Sequence, residues 1–233
     1  MELRISKVEN IDYNYLNTIE EKISKKESIS REELVYYLNV MISTVRDKIY
    51  DEEHPNFEFK CDLAQSIICY YLNDIGVINY PCSTIKTIYS SVVGHNFIVA
   101  VFNVDGKEVN YLIDPTYIQF FKEENCDDKK YTDINGYIVE TPDPGYFIDK
   151  KDMEMIGKFN YYGFGELNEE LAKIYGNSFY NTRTMRRDKK IDSLSGDYYI
   201  NSFIKNGNEK LSKTREELIN DGYYIDFNRG RAK

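Results

Sequence analysis

The chain has 233 residues, 42% of them hydrophobic, which is enough to bury one substantial core with helical additions and too apolar for a disordered polymer. Its 39 acidic residues against 30 basic ones leave a net charge of −9, which argues against general binding to nucleic acid or to an anionic membrane. No apolar run approaches the length of a membrane span.

Residues 1–55 read as a mainly helical region. Ser28-Ile29-Ser30-Arg31-Glu32-Glu33 supplies an N-terminal cap, and Leu34, Leu38, Met41 and Val45 follow as a stripe at helical spacing. His54, beside Pro55, reads as a histidine of a surface loop. The central region, 56–145, opens on a second helix. Leu63, Ala64, Ile67, Ile68, Tyr71, Leu72 and Ile75 recur with a period near 3.6, and Gly76 closes the run. Cys61 therefore stands at a helix N-terminus, where the macrodipole and free backbone N–H groups favour a thiolate and the neighbouring Asp62 opposes it.

Strands are expected near 84–92, 95–104 and 109–114, with a further one at 136–140, which makes the arrangement α+β. His95, one of only two histidines, opens the apolar run through Phe102. Asp105-Gly106 reads as the turn into Val109-Asn110-Tyr111-Leu112-Ile113. Asp114 ends that strand, and Pro115 after it biases the aspartate toward an extended conformation, so its carboxylate projects from a strand end. Thr141-Pro142-Asp143-Pro144-Gly145 is the strongest breaker and marks a boundary. Residues 146–233 read as helical again and packed on the core, with caps at Asn168 and in Lys213-Thr214-Arg215-Glu216-Glu217. Gly163-Phe164-Gly165 lacks the third glycine and the lysine of a phosphate loop. The basic stretches 184–190 and 228–233 read as solvated surface.

Cys61, His95 and Asp114 carry complementary chemistry. A thiol with a pKa of about 8.5 is mostly protonated near neutrality, and an adjacent imidazole can take its proton and leave a nucleophile. An acceptor on the imidazole's other nitrogen fixes its tautomer and orientation. Singly, each residue has a plainer reading: a small buried hydrophobe, a structural histidine and a turn former before proline. Cys69, on the apolar side of the same helix, reads as core, and the irregular spacing of Cys82 and Cys126 offers no zinc pairing. The polar and charged opening residues offer no cleavable apolar leader, so a reducing cytoplasm is the expected compartment, with leaderless export left open.

Cys61, Ala64, Leu72, Gly76-Val77, His95 and Asp114-Pro115-Thr116 together resemble the transglutaminase-like branch of the papain-like cysteine superfamily. That branch sets a cysteine at a helix start, a histidine opening a strand and an aspartate closing the next. The resemblance covers residues 57–120. It implies a papain-like core, in which the cysteine helix packs on an antiparallel sheet, flanked here by helices. It further implies attack by Cys61 on an amide carbonyl of a protein or peptide, with His95 as base and then acid, Asp114 as its orienter, and no metal or cofactor. Proteolysis, deamidation and amine transfer all remain open. Around the cysteine the sequence departs from the branch, with Lys60 and Asp62 in place of glycine or aromatic residues and no tryptophan anywhere. Those departures and the helical flanks motivate a competing expectation: a binding or regulatory module that keeps the fold without turnover.

Overall fold

A helix that begins at the cysteine and a sheet whose strand ends carry the histidine and the aspartate organise the molecule. The computed structural model describes residues 10–54, 57, 59–83, 95–120, 130–132, 138–140, 163–178, 195–207 and 210–227. The expected strand at 84–92, the breaker at 141–145, Cys126 and the basic stretches 184–190 and 228–233 lie outside the described residues.

Helix α1 runs Tyr13–Ser24 and starts at Asp12, whose carboxylate accepts from the amides of Asn14 and Tyr15 at 3.0 Å. Helix α2, Arg31–Ile49, carries the expected cap as a reciprocal box. The Glu33 amide donates to Ser30 Oγ at 3.2 Å, and the Ser30 amide donates to the Glu33 carboxylate at 2.8 Å. The stripe of Leu34, Leu38, Met41 and Val45 is wholly buried. Helix α3, Cys61–Asp74, packs on α2 and on the sheet, and Gly76, at φ +77°, reverses the chain beyond its C-terminus as the sequence suggests.

The sheet has four antiparallel strands in the order β1-β2-β3-β6, where β1 is Asn79–Ser83, β2 Asn96–Val104, β3 Lys107–Ile113 and β6 Phe164–Glu166. Val104 pairs with Lys107, so Asp105 and Gly106 form a two-residue hairpin turn, both at positive φ as its twist requires. Four successive buried residues, Phe97 to Ala100, identify β2 as an inner strand covered on both faces. Among the described residues strand β1 is an edge, where Pro81 is tolerated because one side of the strand needs no ladder donor. Two short strands, β4 (Lys130–Thr132) and β5 (Ile138–Glu140), pair with each other in a separate sheet.

After β6 come α4 (Glu169–Lys173), which runs directly into a π turn at Ile174–Ser178, then α5 (Gly196–Asn206) and α6 (Arg215–Asn220). Asn168 and Thr214 cap α4 and α6 as expected, Thr214 within a second capping box. Helix α5 packs on α4 and β1, and Phe203 and Tyr175 both pack against Phe97 of β2. One continuous cluster of buried apolar residues extends from Leu16 to Phe227. Among the described residues no helix is long and apolar enough to cross a membrane.

Candidate active site

Cys61 is the first residue of α3 and is 9% exposed. The loop before it is held by Asp51, whose carboxylate accepts from the His54 amide at 2.6 Å and the His54 ring at 3.2 Å and pairs with Lys60 at 2.5 Å. Lys60 foremost, and His54 with it, pull the Asp51 carboxyl down to about 2. His54 also meets Phe59 edge-on, so it belongs to this loop, where the sequence reading placed it. Lys60 caps α3 with its backbone alone, and the first helical hydrogen bond runs from the Ala64 amide to Lys60 O at 2.9 Å. The amides of residues 61–63 thus precede the internal ladder, at the positive end of the helix.

His95 lies one residue before β2 and Asp114 one residue after β3. Because Ile98 pairs with Ile113, the start of β2 lies beside the end of β3. The hairpin thereby delivers both side chains to one end of the sheet, where His95 Nε2 and Asp114 Oδ2 stand 2.6 Å apart. Gln65, one turn along α3 from Cys61, locks helix to sheet at that end. Its buried amide donates at 2.7 Å to both Cys82 O and Phe97 O, which belong to partner residues of β1 and β2.

Asp114 is fully buried and saturated with donors. Oδ2 accepts from His95 and from the Tyr175 hydroxyl at 2.7 Å, while Oδ1 accepts from the Thr116 amide and hydroxyl at 3.1 Å each. Four acceptor positions are what an ionised carboxylate offers. The Asp114 amide in turn donates to Gly163 O at 2.6 Å. Gly163 sits at φ +94°, and a Cβ there would meet Arg46 Nη2 at 3.0 Å, Asp114 O at 3.1 Å and Pro115 Cα at 3.2 Å. Glycine is therefore demanded twice over, by dihedral and by space. That is the role of the first glycine in Gly163-Phe164-Gly165.

Arg46 reaches this corner from α2. It is 4% exposed, donates from Nε to Pro115 O at 2.8 Å and lies 5.7 Å from the centre of the Tyr117 ring. Burial pushes its guanidinium down, and Tyr117 and Asp114 oppose that push. Gln119, on the 3₁₀ turn Tyr117–Phe120, places its amide nitrogen 3.3 Å from His95 Nδ1.

Burial pushes the His95 imidazole down, but Asp114, through charge and hydrogen bond, outweighs it. Cys61 adds to the rise as a hydrogen-bond partner and a charge, and together they carry the ring up to about 10. Since Nε2 is committed to Asp114, Nδ1 is the nitrogen left for the thiol. The three predicted residues thus come together. Asp62 is close as well: its Oδ1 lies 3.8 Å from Cys61 Sγ and accepts from the Asn96 side chain of β2. Asn96 takes up part of a charge that disfavours a neighbouring thiolate.

The other cysteines differ. Cys69 is buried on α3, and burial pushes its thiol up to about 11; Cys82 is buried in β1 with its Sγ directed at Tyr80 O. Among the described residues no group of three or more His, Cys, Asp and Glu side chains is placed to hold a metal ion. Tyr175, Gln119 and Arg46 escaped the sequence reading because no local pattern marks them; each meets the site only through the tertiary fold. Thr116 alone had a local signal, in Asp114-Pro115-Thr116. Searches against protein families, curated proteins and solved structures return no match for this chain.

Proposed function

We propose that this protein is a cysteine-dependent acyl-transfer enzyme or hydrolase acting on an amide bond of a protein or peptide, built on a papain-like core of the transglutaminase-like type. The observation that carries the reading is the connected set at one end of the sheet. Cys61 at a helix start is a partner of His95, and the opposite nitrogen of that imidazole is held by a buried, donor-saturated Asp114. Cys61 is the nucleophile, His95 the proton carrier and Asp114 the orienting acceptor.

His95 takes the thiol proton, and the thiolate attacks the carbonyl carbon to form a C–S bond, while the C=O electrons move to oxygen. Backbone amides at the start of α3, including that of Cys61, lie at the positive end of the helix and supply the donors for the developing negative charge in this reading. The intermediate collapses, the C–N bond breaks, and the leaving nitrogen takes the proton from the His95 imidazolium. Water then gives a proton to His95 and adds to the thioester. Collapse releases the acid and a Cys61 thiolate, which recovers its proton from His95. A lysine amine in place of that water gives a new amide. We favour hydrolysis, which needs no second substrate site.

A non-catalytic binding module is the second reading, favoured by one observation: His95 and Asp114 are fully buried and Cys61 is 9% exposed. Iodoacetamide labelling as a function of pH, mapped by mass spectrometry on the wild type and His95→Ala, separates the two. The enzyme reading expects selective labelling of Cys61 well below the ordinary thiol range, lost in the variant. Labelling of Cys61 as slow as that of Cys69 transfers the conclusion to the binding module.

A further inference from the structure

Nε2 of His95 is spoken for by Asp114, so the state of the ring is decided at Nδ1, and Gln119 stands beside that nitrogen. Its amide nitrogen donates to Thr116 O at 2.9 Å and stands 3.3 Å from Nδ1. The orientation of the carboxamide is fixed by chemistry. A backbone carbonyl can only accept, so turning the amide over would set two acceptors against each other at the Thr116 contact. One amide hydrogen is thus spent on Thr116 O and the other points at the ring. Nδ1 can receive it only as a bare lone pair, which is the neutral tautomer with its hydrogen on Nε2, donated to Asp114.

We propose that Gln119 is a positioning residue, whose amide donor at Nδ1 favours the neutral ring and so counters, without outweighing, the pull of Asp114 toward the imidazolium. The proposal deepens the cysteine-enzyme reading and rests on it for its catalytic meaning. A base must be unprotonated to take the thiol proton and must return that proton to the leaving nitrogen. With Asp114 alone the ring is held too tightly to its proton; a donor at Nδ1 makes it easier to empty.

Groups around His95 act in both directions. Asp114 at the end of β3 and a Cys61 thiolate on α3 favour the charged ring. Asp62 on α3 lies beside the thiol and is bonded to Asn96. Tyr175, in the π turn after α4, stands 6.3 Å from the ring and spends its hydroxyl on Asp114, which weakens that carboxylate's hold. Arg46 on α2 adds a positive charge near Asp114, and Tyr117 lies beneath that guanidinium. Gln119 is the neutral side chain of this set that donates toward the ring itself.

With two histidines in the chain, a protein labelled with ¹⁵N-histidine gives two ring systems, and His54 serves as the internal control. Gln119→Leu removes the donor at similar volume, and Gln119→Glu replaces it with an acceptor. A neutral hydrogen bond contributes about 0.5–1.5 kcal/mol, so the His95 titration midpoint should rise by roughly half to one pH unit in the leucine variant. It should rise further in the glutamate variant, with His54 unmoved in both. The acid limb of Cys61 alkylation should move up with it, since the ring must be empty to take the thiol proton. A His95 midpoint that stays put or falls in the variants that fold overturns the proposal, and the glutamate variant decides alone if the leucine variant does not fold. Failure of Cys61 to label selectively in the wild type overturns the enzyme reading instead and leaves the histidine titration as a separate result.

Discussion

Removing one oxygen atom from Tyr175 tests the buried carboxylate at the heart of the site. Tyr175 is fully buried; its ring lies 4.9 Å from that of Phe97 and its hydroxyl donates to Asp114 Oδ2 at 2.7 Å. Tyr175→Phe keeps the ring and its packing and deletes the donor. A hydrogen bond to a charged group contributes about 1.5–3 kcal/mol, against about 0.5–1.5 kcal/mol for a neutral pair. The molecule provides its own comparison: Tyr37, also fully buried, donates at 2.7 Å to the Tyr71 hydroxyl, an uncharged acceptor that donates in turn to Glu20 at 3.0 Å. Urea unfolding of wild type, Tyr175→Phe and Tyr37→Phe gives the two losses as midpoint shifts at unchanged slope. The expected order is Tyr175→Phe at roughly twice the cost of Tyr37→Phe, with a melting temperature lower by roughly 4–10 °C. A loss at Tyr175 no greater than at Tyr37 refutes the assignment of Asp114 as a charged acceptor.

Asp114→Asn should abolish selective alkylation of Cys61 and destabilise the fold by about 3 kcal/mol, since an amide nitrogen must face donors that a carboxylate accepted; peptide mapping and urea titration read the two effects. Gly163→Ala should cost roughly 2–4 kcal/mol, from the positive φ and the contacts with Arg46, Asp114 and Pro115, and should also slow Cys61 labelling because Asp114 is displaced. The folded protein binds the His95 proton more tightly than the unfolded chain, raising it from 6.5 to about 10. That contribution is therefore complete below about pH 6.5 and is lost as the pH climbs toward about 10, an effect on the order of a few kcal/mol. Unfolding titrations of wild type and His95→Gln across that window should show the wild type alone losing this increment; parallel curves contradict it.

Where local chemistry decides an element, the sequence was readable. The Ser30 box, the period of α3, the reversal at Gly76 and the Asp105-Gly106 turn each depend on residues a few positions apart, and each stands where expected. The order Cys61, His95, Asp114 was readable for the same reason: a helix start and two ends of one hairpin define their places. Strand β1 was hidden because Pro81 breaks a strand pattern unless the strand is known to be an edge. Strand β6 is three residues long with a glycine at its centre, and only its pairing with β3 makes it a strand. Tyr175 and Arg46 stand 61 and 69 positions from the residues they bind, and nothing along the chain announces such pairs. Gln119 is nearer, 24 positions from His95, but its place depends on a 3₁₀ turn that follows Pro115.

The dependence of Asp114 on Gly163 and Tyr175 sets the smallest piece of this protein that can work. Residues 57–120 contain Cys61, His95 and Asp114, yet a fragment cut there would leave an open sheet edge at β3, an Asp114 amide without its acceptor and a carboxylate short of one donor. The order of synthesis follows as well. During synthesis the thiol, imidazole and carboxylate all emerge before Gly163 and Tyr175, the residues that complete the hydrogen bonding of Asp114. A nascent chain halted before residue 163 would lack the Gly163 carbonyl and the Tyr175 hydroxyl that hold Asp114, so the corner around His95 is complete only with the C-terminal third.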